Sequence, residues 1–303
     1  MRSKQVKVSR IGYLGASSAS LERQVIGAFR QKLRELGHVE GENIAIEYRW
    51  AEGEDDRLPR LAAELVRLTP EIIVTAGTPG TLAAKGATKT IPIVFASSGN
   101  PVNAGLVASF ARPDGNVTGF AISGPDLEGK RVQLLKDAVA QLSRIAILWN
   151  PANPAAFEFY QHTRAAAAAL SLTIQPVAEA RHPDDFKNAF STIASAKPDG
   201  LIVIRDRFLL AHRMEIVDFA AANRLPAIYG YRGYVQAGGL ISYAPSDIDQ
   251  FHRTAIYVDK LLKGVKPAEL PVQEPIRFDL IINPQDREGA RPGSAGDDSR
   301  SCR

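Results

Sequence analysis

Thr69-Pro70-Glu71-Ile72-Ile73-Val74 and, far along the chain, Lys197-Pro198-Asp199-Gly200-Leu201-Ile202-Val203 follow one pattern twice. A proline and an acid close a polar turn. A short aliphatic run follows with no polar alternation, as in a parallel strand buried on both faces. Each run meets a polar loop, residues 75–80 in one copy and 205–208 in the other. Each loop leads to a helical pattern and then to a second strand opened by proline, Ile91-Pro92-Ile93-Val94 and Leu225-Pro226-Ala227-Ile228. A β-α-β unit repeated in this way predicts a duplicated topology.

The same alternation extends outward. Residues 11–14 and 44–48 read as strands. Val25, Ile26, Phe29, Leu33 and Leu36 space out a helix that Gly37 ends, and another helix spans 58–68. After Gly119 the pattern restarts: helix 127–142, strand 145–149, an alanine-rich helix 155–170, strand 172–176, helix 183–194, strand 201–204, helix 210–222 and strand 227–229. The expected class is α/β, with two doubly wound parallel-sheet lobes.

Composition narrows the functions. The 303 residues suit two domains, 45% of them are hydrophobic, and the net charge of +4 comes without a dense basic run, so nucleic acid is not an expected partner. The one cysteine, Cys302, excludes a disulfide framework and a cysteine metal site. No apolar run approaches the ~18 residues of a membrane span. The opening Met-Arg-Ser-Lys-Gln-Val-Lys-Val-Ser-Arg has the basic start of an export signal without the apolar stretch behind it, which fits either a cytosolic protein or one whose signal is missing from this chain. Phosphate-loop, dinucleotide and nucleophile-elbow motifs are missing, and the five histidines are scattered without metal-ligand spacing. The expectation is a protein that binds without catalysis and needs no cofactor or metal. A metabolite-sensing domain of a regulator is the alternative, and an NAD-linked enzyme a weaker one.

In open parallel sheets a ligand sits beyond the carboxyl ends of the strands. The loops there carry Ser17, Ser18, Thr78, Pro79, Ser97, Ser98, Gly99 and Asn100 in the first half. In the second they carry Asn150, Asn153, Asp206, Tyr229, Tyr231 and Arg232. Hydroxyls and helix N-terminal amides suit a carboxylate. Asp206 could hold an ammonium, and the tyrosine rings could cover an apolar body. Taken singly, Ser18 or Asn153 could equally be a helix cap, Asp206 a loop acid and Tyr231 a core residue.

Several stretches also resemble a known family. Gly119-Phe120, Asp126-Leu127-Glu128-Gly129-Lys130-Arg131 and Ser143-Arg144-Ile145-Ala146-Ile147-Leu148-Trp149-Asn150-Pro151-Ala152-Asn153-Pro154 are similar to the signature of the periplasmic substrate-binding proteins of an otherwise uncharacterised ABC-importer family that includes tryptophan-binding members. Pro92-Ile93-Val94-Phe95 with Asn100-Pro101-Val102, and Tyr229-Gly230-Tyr231-Arg232 with Gly238-Gly239-Leu240-Ile241-Ser242-Tyr243, fit as well. The resemblance covers about residues 10–283 and implies a type I periplasmic-binding fold with a three-segment hinge. Residues 6–119 with 243–271 would form one lobe, and 120–242 with 272–283 the other. It further implies a monomer that captures an aromatic or apolar amino acid or related acid in the cleft, in the periplasm, and docks on an ABC permease. Many members carry Asp where this chain has Asn100, which removes a possible ammonium partner. From Pro284 the chain departs from the family's Leu-Lys-Thr-Ala-Lys-Ala-Leu-Gly-Leu helix, yet its back-translated codons read one base later are compatible with that helix. Residues 284–303 are therefore expected to be an out-of-frame, disordered tail, with Cys302 an accident of it.

Overall fold

The computed structural model describes residues 8–122 and 124–284. The first sheet holds β1 (Ser9–Gly15), β2 (Ile44–Trp50), β3 (Ile72–Thr75), β4 (Ile93–Ser98) and β5 (Val117–Ala121), all parallel, in the order β2-β1-β3-β4-β5. The second holds β6 (Arg144–Trp149), β7 (Thr173–Glu179), β8 (Gly200–Val203), β9 (Ala227–Tyr229), β10 (Ile241–Pro245) and β11 (Phe278–Ile282), in the order β11-β10-β9-β8-β6-β7. Without β11 the second order repeats the first, so the doubled sequence pattern corresponds to a doubled topology. The structure has the α/β class and the two doubly wound, mainly parallel sheets of the type I periplasmic-binding fold.

Each sheet is covered on both faces, which is why its central strands are apolar without alternation. On the first sheet, α1 (Arg23–Glu35) and α10 (Asp247–Leu262) cover one side and α2 (Leu58–Arg67) and α3 (Thr78–Ala87) the other. Helix α1 buries Ile26, Phe29 and Leu33, three and four residues apart, so one face meets the sheet. Gly37 ends it at φ +90°, a backbone state open to glycine, and its N–H closes on Arg34 O at 3.0 Å. Helix α10 brings Phe251, Ala255 and Val258 onto α1 and β4 although it is encoded after nearly all of the second lobe.

In the second sheet alternate residues of β6 serve opposite cores. Ile145 and Ile147 pack with α4 (Pro125–Ala138) and α5 (Pro154–Ala169). Ala146 and Leu148 pack with α6 (Asp185–Ala196), α7 (Arg207–Ala211) and α8 (Arg213–Ala222). A short α9 (Arg232–Gln236) precedes β10.

The structure departs from the sequence reading at three places. The expected changeovers at Gly119 and Tyr243 fall inside β5 and β10, which run on to Ala121 and Pro245. The third passage lies near Gln273, whose carbonyl accepts from Ala121 N at 2.9 Å. Strand β11 is antiparallel to β10. The chain returns from the first lobe at the carboxyl end of β10 and can only run back along it, since a parallel partner would need a full crossover. The expected helix over 210–222 is two helices, α7 and α8, that meet at His212. The expectation for the tail falls on residues 285–303, outside the described residues.

Candidate functional site

Both sheets point the carboxyl ends of their strands at each other, and the loops there meet. In the first lobe, β1 runs into Ser17, which is fully buried, and then into Glu22, which is 2% exposed. Glu22 accepts a short hydrogen bond from the Tyr13 hydroxyl and another from Ser17 Oγ at 2.5 Å. Burial, and then the Glu22 charge, push the Tyr13 phenol well above its ordinary pKa, so it stays a donor.

Helix α3 begins with Thr78-Pro79 behind Gly77, which has φ +87°. Proline suits this first turn because it has no N–H to leave unpaired. Thr78 Oγ1 lies 2.9 Å from Ser98 Oγ, and Gly99 N donates to Thr78 Oγ1 at 3.1 Å. Two buried hydroxyls thus stand at a helix N-terminus, where backbone amides and the helix dipole favour an anion.

In the second lobe, Asp206 caps α7 and accepts from Leu209 N at 2.9 Å. The side-chain amides of Asn150 and Asn153 donate to it at 3.3 and 2.8 Å. Burial raises the Asp206 pKa and outweighs these three bonds. Arg205 donates to Gly230 O at 2.5 Å, pairs with Asp247 Oδ1 at 2.7 Å and stacks 3.7 Å from the centre of the Tyr231 ring. Asp247 is the first residue of α10, so this arginine also ties the second lobe to a helix of the first.

The lobes touch directly. Arg207 reaches across to Glu22 Oε1 and Ser97 Oγ, both at 3.4 Å. Glu158 on α5 accepts from Asn100 and Asn103 of the first lobe at 3.3 and 3.0 Å. Three glycines allow this approach. A Cβ on Gly53 would lie 2.7 Å from Ala211 Cβ, one on Gly77 3.2 Å from Arg207 Cγ, and one on Gly99 2.3 Å from Ala155 Cβ. Asp55, in the turn after β2, feels the second lobe as well. Burial first, and then the Asp206 charge, raise its pKa to about 7, and its Oδ1 has no hydrogen-bond partner. Where the cleft opens, a cavity of about 370 Å³ lies between Ser20, Arg23 and Gln24 on one lobe and Arg213, Met214 and Gly233 on the other.

The sequence-predicted residues divide accordingly. Ser17, Thr78, Ser97, Ser98 and Gly99 line the first lobe's face, opposite Asn150, Asn153, Asp206 and Tyr231. Pro79 shapes the first turn of α3. Ser18 bonds Ser20 at the exposed rim, 2.9 Å away. Asn100 is also a rim residue: its Oδ1 accepts from the backbone of Val102 and Asn103. Tyr229 stacks on Tyr234 within the second lobe's core, ring centres 4.4 Å apart, and Arg232 opens α9 on the flank. Arg205, in the polar loop expected at the strand ends, belongs to the interface, and so do Tyr13, Glu22, Asp55 and Arg207, which were missed by the sequence reading. Among the described residues no group of three or more His, Cys, Asp or Glu is placed to hold a metal, and no helix is long and apolar enough to cross a membrane.

Two sheets of repeated order, a hinge of three passages and a polar face on each lobe define a substrate-binding protein of the periplasmic type. The chain belongs to the family of ABC transporter substrate binding proteins, which it matches over residues 16–288. A tyrosine-binding protein of Clostridioides difficile (strain R20291) is 25% identical over 257 residues, 84% of this chain and 73% of the relative. A conserved domain protein from Vibrio cholerae has a solved structure that superposes with a TM-score of 0.87 at 26% identity, covering 94% of this chain and 95% of that one. An ABC domain from Streptococcus pneumonia, in complex with L-Trp, superposes with a TM-score of 0.87 at 22% identity over 94% and 95% of the two chains. The ligand-free, open structure of a substrate binding protein with adhesive properties from Clostridium difficile gives 0.68 at 22% identity over 97% and 98%.

Proposed function

We propose that this chain is the solute-binding component of an ABC importer and closes around a small carboxylate-bearing molecule, an aromatic or apolar amino acid or a related acid, without changing it chemically. One observation carries the reading. The Thr78–Ser98 hydroxyl pair and the Gly99 amide gather at the N-terminus of α3, on the face that meets the second lobe. That is a place for a carboxylate, with Ser17 and Ser97 beside it and Asn150, Asn153, Asp206 and Tyr231 opposite. The tyrosine-binding relative and the L-Trp complex support the ligand class. The better superposition on the L-Trp complex than on the open, ligand-free relative supports a closed arrangement of the lobes. The lobes would act as rigid units hinged at the three passages. The protein would work as a monomer outside the cytoplasmic membrane and present both lobes to a permease. Thermal-shift screening of amino acids and aromatic acids beside NAD and sugars tests this: stabilisation by the acids is expected, and stabilisation by dinucleotide alone would overturn it.

A further inference from the structure

Two buried charges face each other across the lobe boundary without closing to a tight ion pair, and they are the place to ask what the ligand must carry. Arg207 is 5% exposed and Glu22 is 2% exposed. Their nitrogen–oxygen separation is 3.4 Å, whereas a charge-assisted hydrogen bond of this type closes to ~2.7–2.9 Å. Among the described residues the guanidinium's one other hydrogen bond, to Ser97 Oγ, is equally long, its Nε has no hydrogen-bond partner, and the Tyr231 ring centre lies 5.2 Å away. A buried guanidinium with five donors and two loose contacts is under-satisfied. Its stem passes Gly77, the residue before α3, and its head reaches Ser97 at the end of β4. Glu22 sits in a rigid seat made by Tyr13 and Ser17, and its Oε1 is turned toward the other lobe. Asp206, another carboxylate on the facing loops, already accepts from two amides and a backbone N–H.

Resting on the proposed reading of the cleft, we propose that Glu22 and Arg207 are its charge-selecting residues, one on each lobe: a zwitterionic α-amino acid enters between them, its ammonium on Glu22 and its carboxylate on Arg207 beside α3. The long cross-lobe contact then gives way to two short ones, each between opposite charges. A ligand with one charge engages one lobe and leaves the facing residue unsatisfied. A ligand with both links the lobes through its own body, so closure itself discriminates amino acids from the corresponding acids and amines. Besides Glu22 and Ser97, Tyr231, Asp247 and Tyr13 bear on Arg207, and Arg205 shares the Tyr231 ring with it, all fixed parts of the protein.

Isothermal titration with L-tyrosine and L-tryptophan decides the matter. Each is compared with its decarboxylated amine (tyramine, tryptamine) and its des-amino acid (3-(4-hydroxyphenyl)propionate, indole-3-propionate). The wild-type protein should bind the better amino acid ~10- to 100-fold more tightly than either singly charged analogue, the range for losing one charged hydrogen bond. Glu22→Gln should bring that amino acid down to the level of its des-amino acid and leave the des-amino acid unchanged. Arg207→Met should bring it down to the level of the amine. Melting temperatures of both variants verify that they fold. Equal wild-type affinity for the amino acid and the des-amino acid would overturn the charge selection and leave the proposed function standing. So would a Glu22→Gln variant that loses both ligands in proportion. If none of the six compounds binds, both readings fall.

Discussion

Replacing Gly99 by alanine isolates closure from folding. Gly99 follows β4 on the first lobe, and the nearest atoms to an added methyl lie on α5 of the second: Ala155 Cβ at 2.3 Å, Ala155 Cα at 3.4 Å and Phe159 Cζ at 3.5 Å. Carbon atoms rest at ~3.5–4.0 Å, so the new methyl overlaps Ala155 by about 1.2 Å or more. Overpacking of this size costs ~1–3 kcal/mol where nothing can move. Here the lobes can part, so the cost falls on the closed state alone. Ligand affinity is expected to drop by ~5- to 150-fold, because binding must now close the lobes against that strain. The melting temperature without ligand should stay near that of the wild type. Titration calorimetry with the best ligand of the panel measures the loss. Adding Ala155→Gly removes the clashing Cβ, leaves the 3.4 Å contact with Cα, and should restore most of the affinity. Unchanged affinity in Gly99→Ala, or no recovery in the double variant, would refute direct backbone contact between the lobes at this point.

Other expectations follow from particular contacts. Burial and the facing Asp206 charge raise the folded-state pKa of Asp55 to about 7, above its ordinary 3.8. Its penalty is therefore absent below about 3.8, grows through the interval and is complete above about 7. The melting temperature should fall as pH rises from 5 to 8, and Asp55→Asn should flatten that fall. Arg131 and Glu128 form a buried pair at 2.5 Å, and Arg131 also donates to Tyr243 O at 2.8 Å. Arg131→Met strands the glutamate and should cost ~3–5 kcal/mol in denaturant unfolding, while a loss under ~1 kcal/mol would contradict the assignment. Asn100→Asp sets a carboxylate against Glu158 at the rim. Affinity should weaken a few-fold, more so at low salt, and Glu158→Gln in the same protein should recover it.

The sheet architecture was legible because burial on both faces imposes a local signature, apolar runs such as Ile72–Thr75 between helices of period 3.6. The direction of β11 was not legible, because it depends on which end of β10 the chain returns to and not on any residue of the strand. At the cleft, Thr78, Ser98 and Asn153 could be found because strand ends point at the cleft. Glu22 and Arg207 escaped for different reasons. Glu22 directly precedes a helix, where an acid is ordinarily explained by the helix dipole. Arg207 reads as a surface residue beside Asp206, although the apolar Phe208-Leu209-Leu210 directly after it hinted at burial. Tyr229 differs the other way: its loop position suggests contact with a ligand, and the structure stacks it on Tyr234 in the core.

The interleaving of the lobes constrains how the protein is made. Helix α10 closes the first lobe's core and fixes His38 through Asp259 at 2.8 Å. A ribosome releases it only after the five parallel strands of the second sheet. Until then, Phe29, Leu33 and Val74 lack part of their cover, and the first lobe cannot complete its fold as an independent N-terminal unit. The second lobe waits in turn for β11. Both lobes therefore finish only after α10 and β11 have been made, through contacts between residues far apart in sequence, the class of contact that forms slowly. A nascent chain of this design stays unfinished, and open to chaperones, until α10 and β11 have emerged.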